Sequence, residues 1–386
     1  RESLLKNGLP TKKMEPWRLT NLKRLDNLMT LKVFTGREKI SNLQSQIWAK
    51  APDDGLRLIL GPNGILQESI DFPAELRKLN DIEIKKHLDE SVKQLSSEEQ
   101  WPLLINYAAN YEVVGLHVSG RKLAKLELVM PTEKNVLIPS RVIIKIEEGA
   151  QLDLLQVLLG SGHSAHSHIL EIHMAKNATL NHGFLAMGGG EASCLAQVSI
   201  SQEAFSNYSL TSVQHGWSIS RFEPKVIQKN GHSKTTLNGL QIANGNEQLA
   251  THSLVRFEGP KGCLNQLQKA TANGQSHSIF NGVIEVPQIA QQTNAAQLSR
   301  NLLISKHARI DTKPELKIIA DDVKCAHGAT VSQLQEEELF YLRSRGINSN
   351  QASTLILKGY CLEIINSLPL EASRWNILNT LLENIR

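Results

Sequence analysis

From Val113 to about Val331 apolar and polar residues alternate in short runs. A period of two places successive side chains on opposite faces of a β-strand, so this long stretch reads as a succession of strands. Four segments share a loose unit: VIIKIEEGAQLDLLQVL, HILEIHMAKNATLNHGFL, GVIEVPQIAQQTNA and LLISKHARIDTKPELKI. In each, an alternating strand meets a short polar break containing an alanine, and a second alternating run follows. The recurring alanines are Ala150, Ala178, Ala290 and Ala308. A repeated strand–turn–strand unit predicts a β-solenoid, in which each coil buries its apolar row only by stacking on its neighbours. A large β-sandwich or jelly roll is the competing architecture.

On either side the period shifts toward that of helices. Residues 1–112 predict a mostly helical N-terminal domain, 113–333 a β core, and 334–386 a helical C-terminal domain. In the first, Leu19, Leu22 and Leu25 fall at helical spacing behind Pro16. Ile82 to Leu95 reads as an amphipathic helix, and Ser96–Glu99 supplies a cap for another through Trp101, Leu104 and Tyr107. In the last, Gln335 to Arg345 predicts a helix with Gly346 at the position that favours glycine. A second helix capped by Ser349 or Asn350 runs to about Ser367. A third, from Glu371 to Arg386, places Trp375, Leu378 and Leu382 on one face.

Composition narrows the function classes. The chain has 386 residues with 41% hydrophobic and 21% charged positions, the balance of a folded globular protein. Its net charge of +4 is spread without blocks, and aromatics make up only 5%. Neither feature favours nucleic acid. No apolar run approaches the roughly 18 residues a membrane span needs. RESLLKNGLPTKK lacks the apolar centre of a signal peptide. The four cysteines, Cys194, Cys263, Cys325 and Cys361, are widely separated, which predicts a reducing compartment and buried thiols. The expected location is a bacterial cytoplasm or a plastid stroma, since a transit peptide can have been removed. No phosphate-cradling or dinucleotide fingerprint occurs, so no nucleotide is expected on this chain. Gly188–Gly190 reads as a flexible loop.

Three constellations carry chemistry. Cys325 and His327 are two apart in a strand-like run, so a soft thiolate and an imidazole project from one face. Such a pair suits iron or an iron–sulfur species, but two donors do not complete a site. A buried cysteine beside a hydrogen-bonded histidine is the alternative. His163 to His182 is rich in histidine, with His166 and His168 on one face. Exposed surface histidines are favoured there over a metal site. Asp311, Glu315, Asp321 and Asp322 offer carboxylates of the kind a β-helical carbohydrate-active enzyme would use. The simpler reading is a polar turn at Asp311–Glu315 and a salt-linked strand edge at Asp322 and Lys324. Phe340, Tyr341, Leu342, Arg343 and Arg345 mix apolar and arginine side chains on one helix, as at a partner interface; packing on the β core is the other use of that face.

Specific strings point further. SIFNGVIEVPQIAQQTNA resembles the F-x-G-x-I-x-V and Gln-Thr-[DN]-Ala strings of the SufB/SufD family, with Phe280, Gly282, Ile284, Val286, Gln292, Thr293, Asn294 and Ala295 in those places. NLLIS, DTKPEL, ADDVKCAHGAT and LFYLRSRGI resemble the family's C-terminal signature, and EPWRLTNL its N-terminal string. From about 25 to 275 the match is loose, and Thr251–Gln275 lacks the His- and Asp-bearing pattern common before F-x-G. The absence of cysteine before Cys194 favours the SufD side of the family over the SufB side. The resemblance implies a mainly β fold with helical ends, a right-handed parallel β-helix flanked by helical domains. It implies a non-catalytic scaffold for iron–sulfur cluster assembly. Its partners would be SufB, paired as a heterodimer through the C-terminal end of the β-helix, and the ATPase SufC, docked on the C-terminal helical domain. His327, with Cys325, would meet a transient cluster or iron at the SufB junction. A SufB-like homodimeric scaffold stays open as an alternative, and no flavin motif is visible.

Overall fold

A computed structural model describes residues 10–35, 39–88, 101–109 and 112–377. Of the expected helix Ile82–Leu95, Asp81–His87 is helical and Leu88 is extended. Of the expected helix Glu371–Arg386, Leu370–Trp375 is a 3-10 helix ended by Asn376 in the left-handed region. Residues 89–100, with the expected Ser96–Glu99 cap, and 378–386 lie outside the described residues. The strands are β1 (Lys32–Val33), β2 (Leu56–Gly61), β3 (Gly64–Glu68), β4 (Leu76–Lys78), β5 (Val114–Val118), β6 (Leu123–Met130) and β7 (Val136–Ile146). There follow β8 (Gln151–Leu159), β9 (Ala165–Met174), β10 (Thr179–Met187), β11 (Ser193–Gln202), β12 (Asn207–His215) and β13 (Ile219–Lys229). The series ends with β14 (Lys234–Ala243), β15 (Gln248–Glu258), β16 (Cys263–Ala272), β17 (His277–Val286), β18 (Asn294–Leu303), β19 (Arg309–Ile318) and β20 (Lys324–Ser332).

From β5 onward odd strands stack on odd and even on even, all in parallel, giving two facing sheets. This is the expected β-solenoid, of about eight turns. In six successive corners after odd strands, from β7 to β17, a residue at positive φ stands two places before the next strand: Gly149, Asn177, Phe205, His232, Lys261 and Gln292, with Asn230 and Gly231 sharing that region in the fourth. The residue after it is small and buried, as Ala150, Ala178, Ser206 and Ser233 show. The four alanines of the sequence unit therefore do not form one column. Ala150 and Ala178 share this place, Ala290 lies two residues before Gln292, and Ala308 belongs to the opposite corner.

Many strands are buried on both faces, which explains their long apolar runs. Inside the coils Leu154, Leu158, Leu170, Ile172, Phe184 and Phe222 pack together, the two Phe rings stacked 4.1 Å apart. Toward the C-terminal coils this interior becomes amide- and hydroxyl-rich. Gln214, Thr251, Gln241 and Ser278 form one hydrogen-bonded set there. Outside the even sheet, Val157, Leu185, Val213 and Leu240 are covered by Cys361, Ile364 and Trp375. Outside the odd sheet, Leu137, Ala165, Leu195 and Ile219 are covered by Trp17, Leu25, Leu28 and Trp101. Cys361 is core, as expected.

Two sequence expectations change. Residues 56–78, expected to belong to a mostly helical domain, supply β2, β3 and β4, which extend the two sheets. Gly188–Gly190 is a packed corner rather than a flexible loop. A Cβ on Gly188 would stand 2.6 Å from Trp217 Cδ2, and one on Gly160 2.3 Å from Trp217 Cζ3. Glycine at both positions lets the fully buried Trp217 wedge into the corner.

The N-terminal string EPWRLTNL docks on the odd sheet. Arg221 donates to Pro16 O at 2.7 Å and lies 3.8 Å over the Trp17 ring. Glu15 accepts from Lys313 of β19 at 2.9 Å. Beneath them Glu223 is held at about 2: its burial opposes ionisation, but Lys225 and Arg221 outweigh it.

Among the described residues, the two ends of the solenoid differ. At the N-terminal end β2 and β3 form an antiparallel hairpin, and β4 runs antiparallel to β5. At the C-terminal end the sheets finish in the longer strands β19 and β20, each parallel to its neighbour. The chain then leaves as two helices, Glu336–Ser344 and Ser349–Ile365, with Gly346 at φ 86° between them. Asn348 caps the second by accepting from Gln351 N at 2.9 Å.

Candidate functional site

β20 is the last strand of its sheet, and its register fixes where its side chains point. Cys325 lies beside Ala295 of β18 and His327 beside Gln297, both buried in the interior. Cys325 and His327 therefore belong to the inward row, and Cys325 packs against the main core. No further coil covers them. Cys325 is half-buried and His327 exposed, as a direct result of the open end. Opposite, β19 places Ile310, Thr312, Pro314 and Leu316 in register with the inward residues Ser278, Phe280, Gly282 and Ile284. The site is thus the uncovered mouth of the solenoid, with apolar, hydroxyl, thiol and imidazole groups on its rim.

Burial raises the pKa of the Cys325 thiol, partly opposed by a backbone hydrogen bond at Ala295. A thiol held protonated in the free chain must lose its proton when a soft metal binds. Among the described residues no group of three or more His, Cys, Asp or Glu side chains is placed to hold a metal. Among the described residues the mouth offers two donors on one strand, fewer than a complete coordination sphere needs.

In the histidine-rich stretch His163 is exposed and His173 half-buried, but the rings at its centre are not on the surface. His166, His168 and His182 are fully buried, which corrects the expectation of exposed histidines. The strands carrying them have packing on both faces, so alternation does not mark an exposed row. His168 Nδ1 lies 2.7 Å from Ser140 Oγ, and Gln156 bridges His168 Nε2 and His182 Nε2 at 2.6 and 2.7 Å. Tyr208 OH closes the chain 3.1 Å from His182 Nδ1. Burial drives His168 and His182 down to about 3, with a smaller push from the neighbouring ring in each case. These rings stay neutral at physiological pH and their nitrogens are spent within the interior.

The carboxylates do not form a hydrolytic pair. Asp311–Glu315 lies inside β19 rather than in a turn, and Asp322 lies in the corner before β20, not on a strand with Lys324. Asp311 accepts from His277 at 2.6 Å and is bridged by Arg309; Glu315 is 3.2 Å from Lys313. At about 3.3 Å per residue, Asp311 and Asp321 are separated by on the order of 20 Å of strand and more. Paired glycosidase carboxylates sit within roughly 5–10 Å.

The proposed partner helix does expose its aromatics. Phe340 is 71% and Tyr341 59% exposed, with Arg345 stacked 5.3 Å over Tyr341 and Arg343 beside them. Leu342 is half-buried. Sequence reasoning missed the interior amides Gln266 and Gln297, which stand directly behind His327 in register. Their signal was available as a column, one residue per coil, once the coil length is known.

Residues 129–360 match the family described as SUF system FeS cluster assembly, SufBD core domain. The chain is 36% identical over 255 residues to an iron–sulfur cluster assembly SufBD family protein of Synechocystis, covering 64% of this chain and 56% of that one. It is 34% identical over 233 residues to a chloroplastic protein of Arabidopsis thaliana, covering 59% and 49%. Against the iron–sulfur cluster assembly protein SufD of Escherichia coli it is 29% identical over 395 residues, covering 98% and 89%. The chain thus matches about half the length of the first two relatives and most of the third.

Proposed function

Because this chain belongs to the SufB/SufD family of iron–sulfur cluster assembly proteins, we propose that it is a SufD-type scaffold subunit that assembles clusters at the open mouth of its β-helix. The observation that supports this most is the asymmetry of the solenoid ends. At the N-terminal end the sheets finish in the short antiparallel strands β3 and β4, whereas at the C-terminal end they finish in the longer parallel strands β19 and β20, with the Cys325–His327 pair on the last of them. An unpaired edge favours pairing with another chain's strands. A partner of the same solenoid type, SufB, would continue both sheets and cover the mouth. His327 would then supply one ligand to iron or a nascent cluster, Cys325 a neighbouring one, and SufB the rest. The cluster is cargo, passed on to recipient proteins.

The helix Glu336–Ser344 would dock the SufC ATPase through Phe340, Tyr341, Leu342, Arg343 and Arg345. ATP would be bound and hydrolysed there, and this chain would catalyse no reaction itself.

Co-expression of the tagged chain with SufB and SufC tests the reading. A stable complex containing both is expected, and a Phe340→Asp/Tyr341→Asp double variant should lose SufC while keeping SufB. A chain that purifies alone as a monomer, or that pairs only with itself, would sink the heterodimer.

A further inference from the structure

The interior column that ends at His327 runs through Leu154, His182, Leu210, Leu237, Gln266 and Gln297, each in register with the next. Its last two amides form a directed ladder. Gln297 Nε2 donates to Gln266 Oε1 at 2.8 Å, and Gln266 Nε2 donates to Ser253 Oγ at 2.8 Å. Both donors thus point back into the solenoid. The acceptor left over, Gln297 Oε1, is buried and has no hydrogen-bond partner. Gln297 itself is 2% exposed.

A buried carbonyl without a donor costs about 1–3 kcal/mol, so the supply of a donor matters. The next coil offers few. Pro314, in register with Gly282 across the lumen, has no polar side-chain hydrogen, and Thr312 already donates to Ser299 Oγ at 2.9 Å. His327 is the register neighbour of Gln297 and carries a ring N–H. A second feature holds the amide in place. Across the lumen a Cβ on Gly282 would stand 2.3 Å from Gln297 Nε2 and 2.6 Å from Phe280 Cζ. The glycine of the F-x-G string therefore leaves the space that the Gln297 amide fills.

We propose that Gln297 is a positioning residue for His327: its Oε1 accepts the ring N–H, fixes one tautomer, and turns the other nitrogen outward with its lone pair free. This rests on the reading of His327 as an iron or cluster ligand, and it adds the group behind the ligand. A ligating histidine is oriented by the acceptor that its second nitrogen meets, and loss of that acceptor lowers metal affinity by roughly 10–100-fold.

The test uses the full chain without metal, labelled with 15N in histidine, with the His327 signals assigned from a His327→Asn variant. Wild type is expected to show one protonated and one unprotonated ring nitrogen at His327. Gln297→Leu should average the two, and Gln297→Glu, which keeps an acceptor oxygen, should restore the single form. An averaged tautomer in wild type, or one unchanged in Gln297→Leu, overturns the proposal. If Gln297→Leu does not fold, wild type and Gln297→Glu decide: the single form in both supports the proposal, and averaging in either refutes it. Iron binding by His327→Ala in the complex tests the ligand reading separately. Intact iron binding there would sink that reading and leave the tautomer result standing.

Discussion

Acid should unfold this protein through its buried histidines, well before its carboxylates are protonated in bulk. Burial also lowers His117, His252 and His277, and the four most strongly buried rings of the core set the minimum effect. His166 and His215 are pushed down to about 4 by burial, and His168 and His182 to about 3 by burial reinforced by a neighbouring histidine. In the unfolded chain each titrates near 6.5. Above pH 6.5 both states are neutral and the native state loses nothing. As pH falls from 6.5 toward the folded values the unfolded chain binds protons that the native state refuses, and stability drops by about 1.4 kcal/mol per pH unit for each ring. At pH 4.5 this amounts to about 2–3 kcal/mol per histidine and on the order of 10 kcal/mol for the set. Glu247 works the other way. Burial raises it to about 7 against backbone hydrogen bonds from Asn244 and Gly216, so the native state gains a proton on acidification and recovers about 3 kcal/mol over the same range. The net loss, about 7 kcal/mol, is comparable with the whole stability of an ordinary domain, about 5–15 kcal/mol. Urea unfolding followed by circular dichroism from pH 7.5 to 4.5 measures it. His215→Gln, which removes one ring with an unpartnered Nε2, should flatten the slope by about 1.4 kcal/mol per pH unit. A stability that stays level between pH 6.5 and 4.5, or a slope that His215→Gln leaves unchanged, would refute the claim that these rings are buried and neutral.

Other perturbations follow from single contacts. Lys269 is buried, donates to Tyr360 O at 2.9 Å and to Glu363, and lies 4.0 Å over the Tyr360 ring. Lys269→Met should cost about 2–4 kcal/mol and increase hydrogen exchange in the helix Ser349–Ile365, read by mass spectrometry. Unchanged exchange there would mean that the ion pair does not anchor the helix. Gly282→Ala drives a Cβ into Gln297 and Phe280, and the expected cost is about 1–3 kcal/mol in urea unfolding. Trp17→Ala removes a fully buried ring between Arg221 and Trp101 and should cost about 3–5 kcal/mol, with residues 15–30 becoming sensitive to protease.

Much of the fold was readable because a solenoid repeats one local rule. Alternation places a row inside, a polar break turns the corner, and β5 to β20 span the stretch where the period of two begins and ends. What alternation cannot say is whether the other row is covered. His166 and His168 share a face in either reading, but only the packed structure shows that the surroundings bury them completely. Asp311–Glu315 looked like a turn because of its charges and Pro314. β19 tolerates them because it is an edge strand, where a proline and charged side chains are compatible with pairing on one side. Cys325 and His327 were legible as a pair by parity alone. The family resemblance put them toward the C-terminal end of the β-helix; that no coil covers them is seen only once the last strand, β20, is known. Gln297 was missed for a related reason: its meaning comes from the residue one coil later, a relation that appears only once the coil length and register are known.

The central claim is that the mouth of the β-helix holds the cargo through His327. The direct measurement is the iron and sulfide content, with the Mössbauer spectrum, of the anaerobically reconstituted complex with SufB and SufC, made with wild-type chain and with His327→Ala. The account predicts that the variant assembles into a complex of the same size but retains at least about tenfold less cluster. Equal cluster content and an unchanged spectrum in the two complexes would contradict it.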